Sequence, residues 1–332
     1  MERHMRGRFA PSPTGYIHLG NVWSAFVSWL QVRQQGGTLV LRMEDIDEQR
    51  SKPVYAKALM EDLAWLGLDW DEGPDKPGDY GPYTQQERYD IYEKALAYLR
   101  EKGLLYPCYC SRARLQAIGA PHRGEHVIYD GHCYGLSEKE QSKETKKPSW
   151  RVHVPHTCIS FTDDVMGSRT GWLTDVCGDF VVRRADGLYA YQLAVSVDDW
   201  RMGITHVVRG CDLLSSTEQQ IWLIHLFGGT SPHYCHVPMV VDEMGNRLSK
   251  RQEGITIRQL RESGARADGI LSYLAYAGGL ITDFAYLNRA ELIASCDLKK
   301  LTDAAIIVRN SDLDSLRKGC LLYTSPSPRD TR

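Results

Sequence analysis

The sequence predicts an α/β fold built on a parallel sheet, and three observations lead to this prediction. Arg6 to Ala10 can extend as a strand, and the Pro- and Gly-rich stretch RFAPSPTGYIHLGN excludes a helix before Gly20. Apolar residues then recur at helical spacing (Val22, Ala25, Phe26, Trp29, Leu30), and the following TLVLRMED alternates. Strand, helix and strand form a βαβ unit, whose two strands are parallel with a right-handed crossover.

The loop between the first strand and the first helix is suited to hold a phosphate. A helix N-terminus offers backbone N–H groups and a positive dipole end, Gly15 and Gly20 allow a ligand close to the backbone, and His18 adds an imidazole. An ordinary turn with a surface histidine is the alternative. Glu44 falls near the carboxyl end of the second strand, where open α/β sheets bind ligands, although a solvent-facing carboxylate also fits.

Composition sets limits on the class of protein. The 332 residues, 42% hydrophobic and 25% charged, are typical of a globular chain of two domains or one domain with an insertion. No apolar run or leader suggests a membrane segment or secretion, so a cytoplasmic protein without a membrane partner is expected. Nine cysteines, an odd number, favour thiols or a metal over disulfides. A net charge of −2 means that any RNA contact must depend on local basic patches.

Two amphipathic helices are predicted after the βαβ unit. The first covers Lys52 to Gly67 and the second about Gln85 to Lys102, ended by Gly103, with a polar loop between them. Their apolar stripes are Tyr55, Leu59, Leu63 and Leu66 in the first helix, and Tyr89, Tyr92, Leu96 and Leu99 in the second.

The segment Leu105 to Lys147 has poor periodicity and is predicted to be an insertion. It contains three cysteines, Cys108, Cys110 and Cys133. Such a loop has little core, so a structural zinc site is a natural way to hold it together, with three unrelated thiols as the alternative. Ligand chemistry favours His132 or His122 as fourth ligand over a phenol, whose pKa is about 10. WRVHV, CISFTDD and DFVVRR then read as antiparallel strands that continue the insertion.

The second half of the sheet is predicted to begin at about Leu188. AYQLAVSVDD is followed by THVVRGCDLLSST and the helix IWLIHLF, with Ser216 or Thr217 as its N-cap. IRQLRES and ILSYLAYAGG are two further helical stretches, and the pattern fades towards Lys318. The final LLYTSPSPRDTR is expected to be a disordered tail or a cloning scar.

Several motifs resemble one enzyme family. RFAPSPTGYIHLGN resembles the nucleotide-binding signature of class I aminoacyl-tRNA synthetases, with His18-Leu19-Gly20-Asn21 at the "HIGH" element and a lead-in similar to the glutamyl and glutaminyl branch. Asn246 to Arg251, NRLSKR, resembles the "KMSKS" loop with Arg247 at the first lysine. GDFVVRRADGLYAYQLAVSVDD and RGCDLLSSTEQQ resemble the short glutamyl-queuosine tRNA(Asp) synthetases. The resemblance covers roughly Arg8 to Gly279.

The resemblance implies a Rossmann-like doubly wound parallel sheet with an inserted zinc-binding, partly antiparallel acceptor-type subdomain and a short helical C-terminal region. The expected units are residues 1–104, the first half of the nucleotide-binding fold; 105–187, the insertion; 188–257, the second half with the SKR loop; 258–319, the helical region; and 320–332, the tail.

The resemblance also implies the site residues. Glutamate has two carboxylates and one ammonium, which require two arginines and one acid. The residues expected to bind it are Arg8, Phe9, Ala10, Pro11, Ser12, Glu44, Tyr191 and Arg209. His18 and Lys250 are the expected catalytic residues, and the ATP set is His18, Gly20, Asn21, Ser249 and Lys250. In the family's zinc site a tyrosine four positions before the last cysteine completes the ligands, which selects Cys108, Cys110, Tyr129 and Cys133.

The implied reaction is ATP-dependent activation of L-glutamate, with an adenylate formed without tRNA, and transfer to queuosine in the anticodon of tRNA(Asp). Mg²⁺ would accompany ATP, Zn²⁺ would be structural, and a monomer is expected. One alternative is a truncated glutamyl-tRNA synthetase that charges tRNA(Glu), although only about 80 residues follow Lys250. A catalytically silent RNA-binding paralogue is another, and the joint presence of His18, Lys250, Arg8, Glu44 and Arg209 argues against it.

Overall fold

The computed structural model describes residues 4–111, 113–115, 128–248 and 256–319. Its strands are β1 Arg6–Phe9, β2 Thr38–Leu41, β3 Leu105–Cys108, β4 Ser149–Val152, β5 Cys158–Asp163, β6 Gly167–Trp172, β7 Phe180–Arg183, β8 His206–Gly210, β9 His233–Val237, β10 Val240–Val241 and β11 Ile306–Ile307. Its α-helices are Leu19–Gln34, Pro53–Leu66, Tyr89–Glu101, Glu138–Gln141, Leu173–Val176, Tyr191–Arg201, Thr217–Leu226, Ile257–Glu262, Ala267–Ala277, Arg289–Ser295 and Asn310–Arg317.

A six-stranded sheet forms the centre of the molecule, in the order β2-β1-β8-β9-β5-β6. All of its pairs are parallel except β5–β6. The predicted alternation in TLVLRMED is confirmed, since Leu39, Leu41 and Met43 lie in one hydrophobic core and Val40 in the other. Because neighbouring residues of one strand enter different cores, the sheet is covered by apolar side chains on both faces.

The βαβ unit is closely packed at Gly7. A Cβ atom at this position would lie 2.5 Å from Cγ2 of Val32, a buried side chain on the helix Leu19–Gln34. A β-branched side chain in a helix has little freedom to move away, so the strand can lie this close to the helix only with glycine there. This contact fixes the start of the loop that carries the first motif.

Both predicted amphipathic helices are confirmed. The first, Pro53–Leu66, ends at Gly67, whose φ of 77° lies in the left-handed region that favours glycine. The second begins as a 3₁₀ turn over Gln85–Arg88 and continues as an α-helix over Tyr89–Glu101. None of the described helices is both long and apolar enough to cross a membrane.

The prediction that a strand of the sheet begins at about Leu188 is wrong, because Tyr191–Arg201 is a helix and the next strand of the central sheet is β8, from His206. Every residue from Leu193 to Asp199 is buried, so the middle of this helix has no exposed face and its apolar run cannot be told from a buried strand by periodicity. Ser216 occupies the N-cap position of the next helix, as predicted, but its side chain forms no capping hydrogen bond. Thr217 is the first residue of that helix, and its hydroxyl accepts from Arg209.

The antiparallel strands predicted between residues 150 and 184 belong to two different sheets. β3, β4 and β7 form a separate three-stranded antiparallel sheet. The β5–β6 hairpin instead extends the central sheet, to which it is joined by pairing of Asp163 with Tyr234 on β9. The hairpin therefore brings Asp163 into the interior of the α/β core, where its exposed fraction is 2%.

Candidate active site

A cavity of about 600 Å³ opens where β1, β8 and the first loop meet. The lining includes eleven of the predicted ATP and glutamate residues, namely Arg8, Phe9, Ala10, Pro11, Ser12, His18, Gly20, Asn21, Glu44, Tyr191 and Arg209. The structure thus brings together residues separated by up to about 200 positions in the chain. Ser249 and Lys250 lie outside the described residues. Their neighbours Arg247 and Leu248 line the cavity, so the chain enters the predicted loop from its wall.

His18 is the N-cap of the helix Leu19–Gln34. Its Nδ1 accepts the backbone N–H of Gly20 at 3.2 Å, while the side chain of Asn21 accepts the backbone N–H of His18 at 3.3 Å. Because Nδ1 is an acceptor here, a neutral imidazole carries its proton on Nε2. His18 therefore presents a hydrogen-bond donor beside the N-terminal N–H groups of the helix, a combination suited to phosphate oxygens.

The cavity is bounded on one side by buried charges that the sequence did not reveal. Arg42 donates to Glu44 at 2.9 Å and to Asp199 at 2.7 Å, and its own exposed fraction is 0%. Arg8 contacts Asp199 at 3.4 Å and donates to the carbonyl of Val208 at 3.0 Å. Burial raises the pKa of Glu44, although Arg42 opposes it, whereas Arg42 and Arg8 outweigh burial and lower the pKa of Asp199.

Arg209 has a different environment from Arg8 and Arg42. It is 4% exposed and donates to Nε2 of His236 at 2.9 Å, to Oε1 of Gln220 at 2.6 Å and to Oγ1 of Thr217 at 2.9 Å. None of these acceptors is a carboxylate. Within the described part of the chain, Arg209 forms no direct ion pair, so its guanidinium can bind an anionic group in the cavity that it lines.

Tyr191 completes the wall between Glu44 and Arg209. It begins its helix, directly after Ala190, and its side chain lines the cavity with 37% of its surface exposed. Desolvation raises the pKa of its phenol, with Glu44 adding to the effect, so the hydroxyl stays protonated and can donate a hydrogen bond to a ligand.

A second cluster lies outside this cavity, on the three-stranded sheet. The thiols of Cys108, Cys110 and Cys133 have their sulfur atoms within 4.8 Å of one another. The hydroxyl of Tyr129 is 3.4 Å from both the Cys108 and the Cys110 sulfurs. His132 is exposed and does not belong to the cluster, and His122 lies outside the described residues.

These separations fit a tetrahedral zinc ion. With Zn–S of about 2.3 Å and Zn–O of about 2.0–2.2 Å, ligand atoms of a tetrahedron are roughly 3.5–3.8 Å apart. The Cys110 and Cys133 sulfurs are 3.6 Å apart, and the sulfur–oxygen distances are 3.4 Å. The donor set could thus hold a metal ion.

Two arginines lie beside the thiols. Arg151 is buried, donates to the Cys108 sulfur at 3.3 Å and stacks over the Tyr129 ring at 3.8 Å from its centroid. Arg114 approaches the Cys110 sulfur at 3.6 Å. Burial alone would raise the pKa of Cys108, but hydrogen bonds from Tyr129, the Cys110 backbone and Arg151 lower it to about 7. The thiolate form needed by a metal is therefore favoured at Cys108.

Comparison with known proteins gives one family. The model for the catalytic domain of tRNA synthetases class I (E and Q) matches residues 4–315. The chain is similar to the Glutamyl-Q tRNA(Asp) synthetases of Nitratidesulfovibrio vulgaris (45% identity, covering 95% of this chain and 99% of the relative) and Symbiobacterium thermophilum (44%, 94% and 98%). It also resembles the crystal structure of a glutamate tRNA ligase from Elizabethkingia meningosepticum in complex with its amino acid, with a TM-score of 0.81, 28% identity, and coverage of 95% of this chain and 69% of that one.

Proposed function

The chain belongs to the class I tRNA synthetases (E and Q), a family of ligases, and from this premise we propose that it activates L-glutamate with ATP and transfers it to queuosine in the anticodon of tRNA(Asp). The observation that carries the proposal is the buried Arg209, which has only neutral partners and lines the same cavity as Arg8 and Glu44. Two guanidiniums and one carboxylate are the charge complement of glutamate, which has two carboxylates and one ammonium.

In the proposed complex Arg209 and Arg8 bind the two carboxylates and Glu44 binds the ammonium. Arg42 supports this arrangement because its bond to Glu44 stabilises the ionised carboxylate against burial. Ser12 and Tyr191 supply neutral hydrogen bonds from the rim. Phe9, Ala10 and Pro11 also line the cavity.

For ATP, we place the α-phosphate at His18 and the adjoining helix N-terminus, against Gly20 and Asn21. The glutamate carboxylate oxygen attacks the α-phosphorus, and the bond to the β-phosphate oxygen breaks to release pyrophosphate. The Nε2–H of His18 and the helix N–H groups stabilise the charge on the phosphorus centre, and Lys250 and Ser249 are proposed to stabilise the leaving pyrophosphate. Mg²⁺ would accompany ATP and neutralise its β- and γ-phosphates.

A cyclopentenediol hydroxyl of queuosine would then attack the glutamyl carbonyl carbon. An ester bond forms, the carbonyl carbon–phosphate oxygen bond breaks, AMP leaves, and the hydroxyl proton is lost. A tRNA 3′ ribose is also a vicinal diol, so the chemistry serves either acceptor. Two relatives, at 45% and 44% identity, are named Glutamyl-Q tRNA(Asp) synthetase, which favours queuosine.

We propose that Cys108, Cys110, Cys133 and Tyr129 hold a structural Zn²⁺. One sulfur–sulfur separation of 3.6 Å and two sulfur–oxygen separations of 3.4 Å, close to those of a tetrahedral site, support this. The guanidiniums of Arg151 and Arg114 would offset the negative charge of thiolates there. The ion would fix β3 relative to the following loop and take no part in the chemistry.

Two assays test the function. Glutamate-dependent exchange of pyrophosphate into ATP, measured without tRNA, is expected if the cavity alone completes the adenylate site; strict dependence on tRNA would refute that part. Labelled glutamate is then offered to tRNA(Asp) from cells able and unable to make queuosine, and to tRNA(Glu). Labelling confined to queuosine-containing tRNA(Asp) is expected. Efficient labelling of tRNA(Glu) would instead indicate a glutamyl-tRNA synthetase, and no exchange at all would indicate a silent paralogue.

A further inference from the structure

The Arg209 guanidinium is held from behind by His236, and His236 is held by Asp163. Arg209 and His236 are paired across β8 and β9, so both side chains leave the sheet on one face. The Nε–H of Arg209 donates to Nε2 of His236 at 2.9 Å, and Nδ1 of His236 lies 2.6 Å from Oδ2 of Asp163. His236 is 0% exposed. The three side chains therefore form a buried line that ends at the cavity.

The first of these hydrogen bonds determines where the proton of His236 lies. A guanidinium N–H can only donate, so Nε2 of His236 is the unprotonated nitrogen, and Nδ1 carries the proton and donates to Asp163. A charged imidazolium would direct a second N–H and a second positive charge at Arg209. Burial lowers the pKa of His236, and the charge of Arg209 lowers it further, which keeps the ring neutral although Asp163 opposes the shift.

Asp163 is itself fixed at the turn between β5 and β6. Its Oδ1 accepts the backbone N–H groups of Val165 at 3.0 Å and Met166 at 2.9 Å. Both oxygens also accept the backbone N–H of His236, at 3.2 Å and 3.1 Å. Because Asp163 pairs with Tyr234 on β9 and is bonded to the turn and to the His236 backbone, the fold fixes the position of its carboxylate.

The other partners of Arg209 leave a defined pair of donors. Gln220 takes one N–H of Nη1 and Thr217 takes one N–H of Nη2. Gln220 is oriented by its amide N–H bond to Gln192 at 2.7 Å. Each Nη nitrogen has two N–H groups, so among the described residues one remains on each, the number that a carboxylate accepts in a bidentate pair.

Resting on the proposed use of Arg209 for glutamate, we propose that Asp163 and His236 are positioning residues for the substrate carboxylate. Asp163 fixes the tautomer of His236, and His236 takes the inner Nε–H of Arg209, so that the outer N–H groups are directed into the cavity. Neither residue touches substrate. Their contribution is to keep the guanidinium in one orientation before glutamate arrives, which reduces the ordering cost of binding.

Asp163→Asn tests the proposal. The asparagine oxygen can still accept from Val165 and Met166, but its NH₂ group faces Nδ1 of His236 and drives the proton to Nε2, against the Nε–H of Arg209. Loss of a hydrogen bond to a charged group should raise the KM for glutamate roughly ten- to hundredfold. The kcat and the KM for ATP should stay within about threefold of wild type. Asp164→Asn, which changes the next and exposed carboxylate, is the control and should leave both KM values unchanged.

The His236 variants and the histidine tautomer of the wild type keep the proposal testable if Asp163→Asn fails to fold. His236→Gln keeps an oxygen that can accept from Arg209 and should retain more glutamate affinity than His236→Leu. The ¹⁵N shifts of labelled histidine should report protonated Nδ1 in the wild type and protonated Nε2 in Asp163→Asn. A folded Asp163→Asn with unchanged glutamate KM, a loss confined to kcat, or equal behaviour of the two His236 variants would overturn the proposal.

The same measurements separate this proposal from the proposed function. If the wild type shows no glutamate-dependent exchange of pyrophosphate into ATP, with or without tRNA, the proposed function fails. The ¹⁵N measurement still tests the positioning role of Asp163 and His236. An unchanged His236 tautomer in Asp163→Asn overturns that role without reference to activity.

Discussion

Arg42 and Glu44, two positions apart in the segment that follows β2, form a buried ion pair of 2.9 Å at the wall of the cavity. Arg42 joins Glu44 to Asp199 from the distant helix Tyr191–Arg201. One guanidinium therefore stabilises two buried carboxylates. Four predictions concern this ion pair, the residues of the cavity and the cysteine cluster.

Removal of the Arg42 charge should destabilise the fold. Arg42→Met leaves Glu44 and Asp199 buried with less compensation, and the free energy of unfolding measured in urea should fall by roughly 3–5 kcal/mol. Arg42→Lys should lose less, because a cation remains. Arg50→Met breaks an exposed pair with Asp47 and should cost no more than about 1 kcal/mol. A Met variant as stable as the Lys variant would contradict the role given to Arg42.

Lys250 and Arg209 should affect different steps. Lys250→Ala removes a charge proposed to act on the leaving pyrophosphate, so it should lower kcat far more than glutamate affinity, whereas Arg209→Ala should chiefly raise the KM for glutamate. Pyrophosphate exchange over a glutamate titration separates the two effects. Equal changes in glutamate KM for both variants would show that the roles are assigned incorrectly.

Zinc should copurify with the chain, one ion per molecule. Cys133→Ser should lose the ion and increase hydrogen exchange in β3 and β4 while largely sparing β1 and β8. Cys158→Ser, which changes an exposed cysteine on the β5–β6 hairpin, is the matched control and should keep the metal. Metal analysis after purification without chelator decides the matter, and a chain without zinc would leave three ordinary thiols.

Glutamate binding should weaken in acid before ATP binding does. The pKa of Glu44 is raised above its usual 4.5 by burial, and only the ionised carboxylate can hold an ammonium, so affinity is present above that raised pKa and is lost as the pH falls through it. Asp199, whose pKa is lowered, stays ionised in that range. The KM for glutamate is measured as the pH is lowered. Glu44→Gln should have a raised KM with a flatter pH profile, and a profile identical to wild type would exclude Glu44 as the titrating group.

The sequence predicted the residues that lie in contiguous motifs. The Pro and Gly pattern around His18 limits the backbone to a loop. The alternation in TLVLRMED places Glu44 on the face opposite Leu39, Leu41 and Met43. The supporting residues were missed for a physical reason. Arg42 and Asp199 are 157 positions apart and Asp163 and His236 are 73 apart, and a charge that is buried by its tertiary partner is indistinguishable in sequence from a surface charge.

The same reason explains the errors in secondary structure. Periodicity identifies an element through the contrast between its buried and exposed faces. Tyr191–Arg201 has almost no such contrast because its middle residues are all buried between the sheet and other helices. In the β5–β6 hairpin the pattern of CISFTDD predicted β5 correctly but did not indicate which sheet it would join, and β6, most of which is exposed, was not predicted.

The position of β1 in the sheet has a consequence for synthesis of the chain. β1 pairs with β2 on one edge, but its other edge pairs with β8, with Gly7 opposite His206. During translation that second edge stays without its partner until about 200 further residues have left the ribosome, a long interval in which an open strand edge can pair wrongly. Arg8 and Arg209 come from these two strands, so the glutamate site proposed above is complete only when the late-formed strand has docked. Binding of glutamate to a nascent chain would therefore report that the sheet is complete. Ample glutamate in the cell would stabilise the docked strand by mass action.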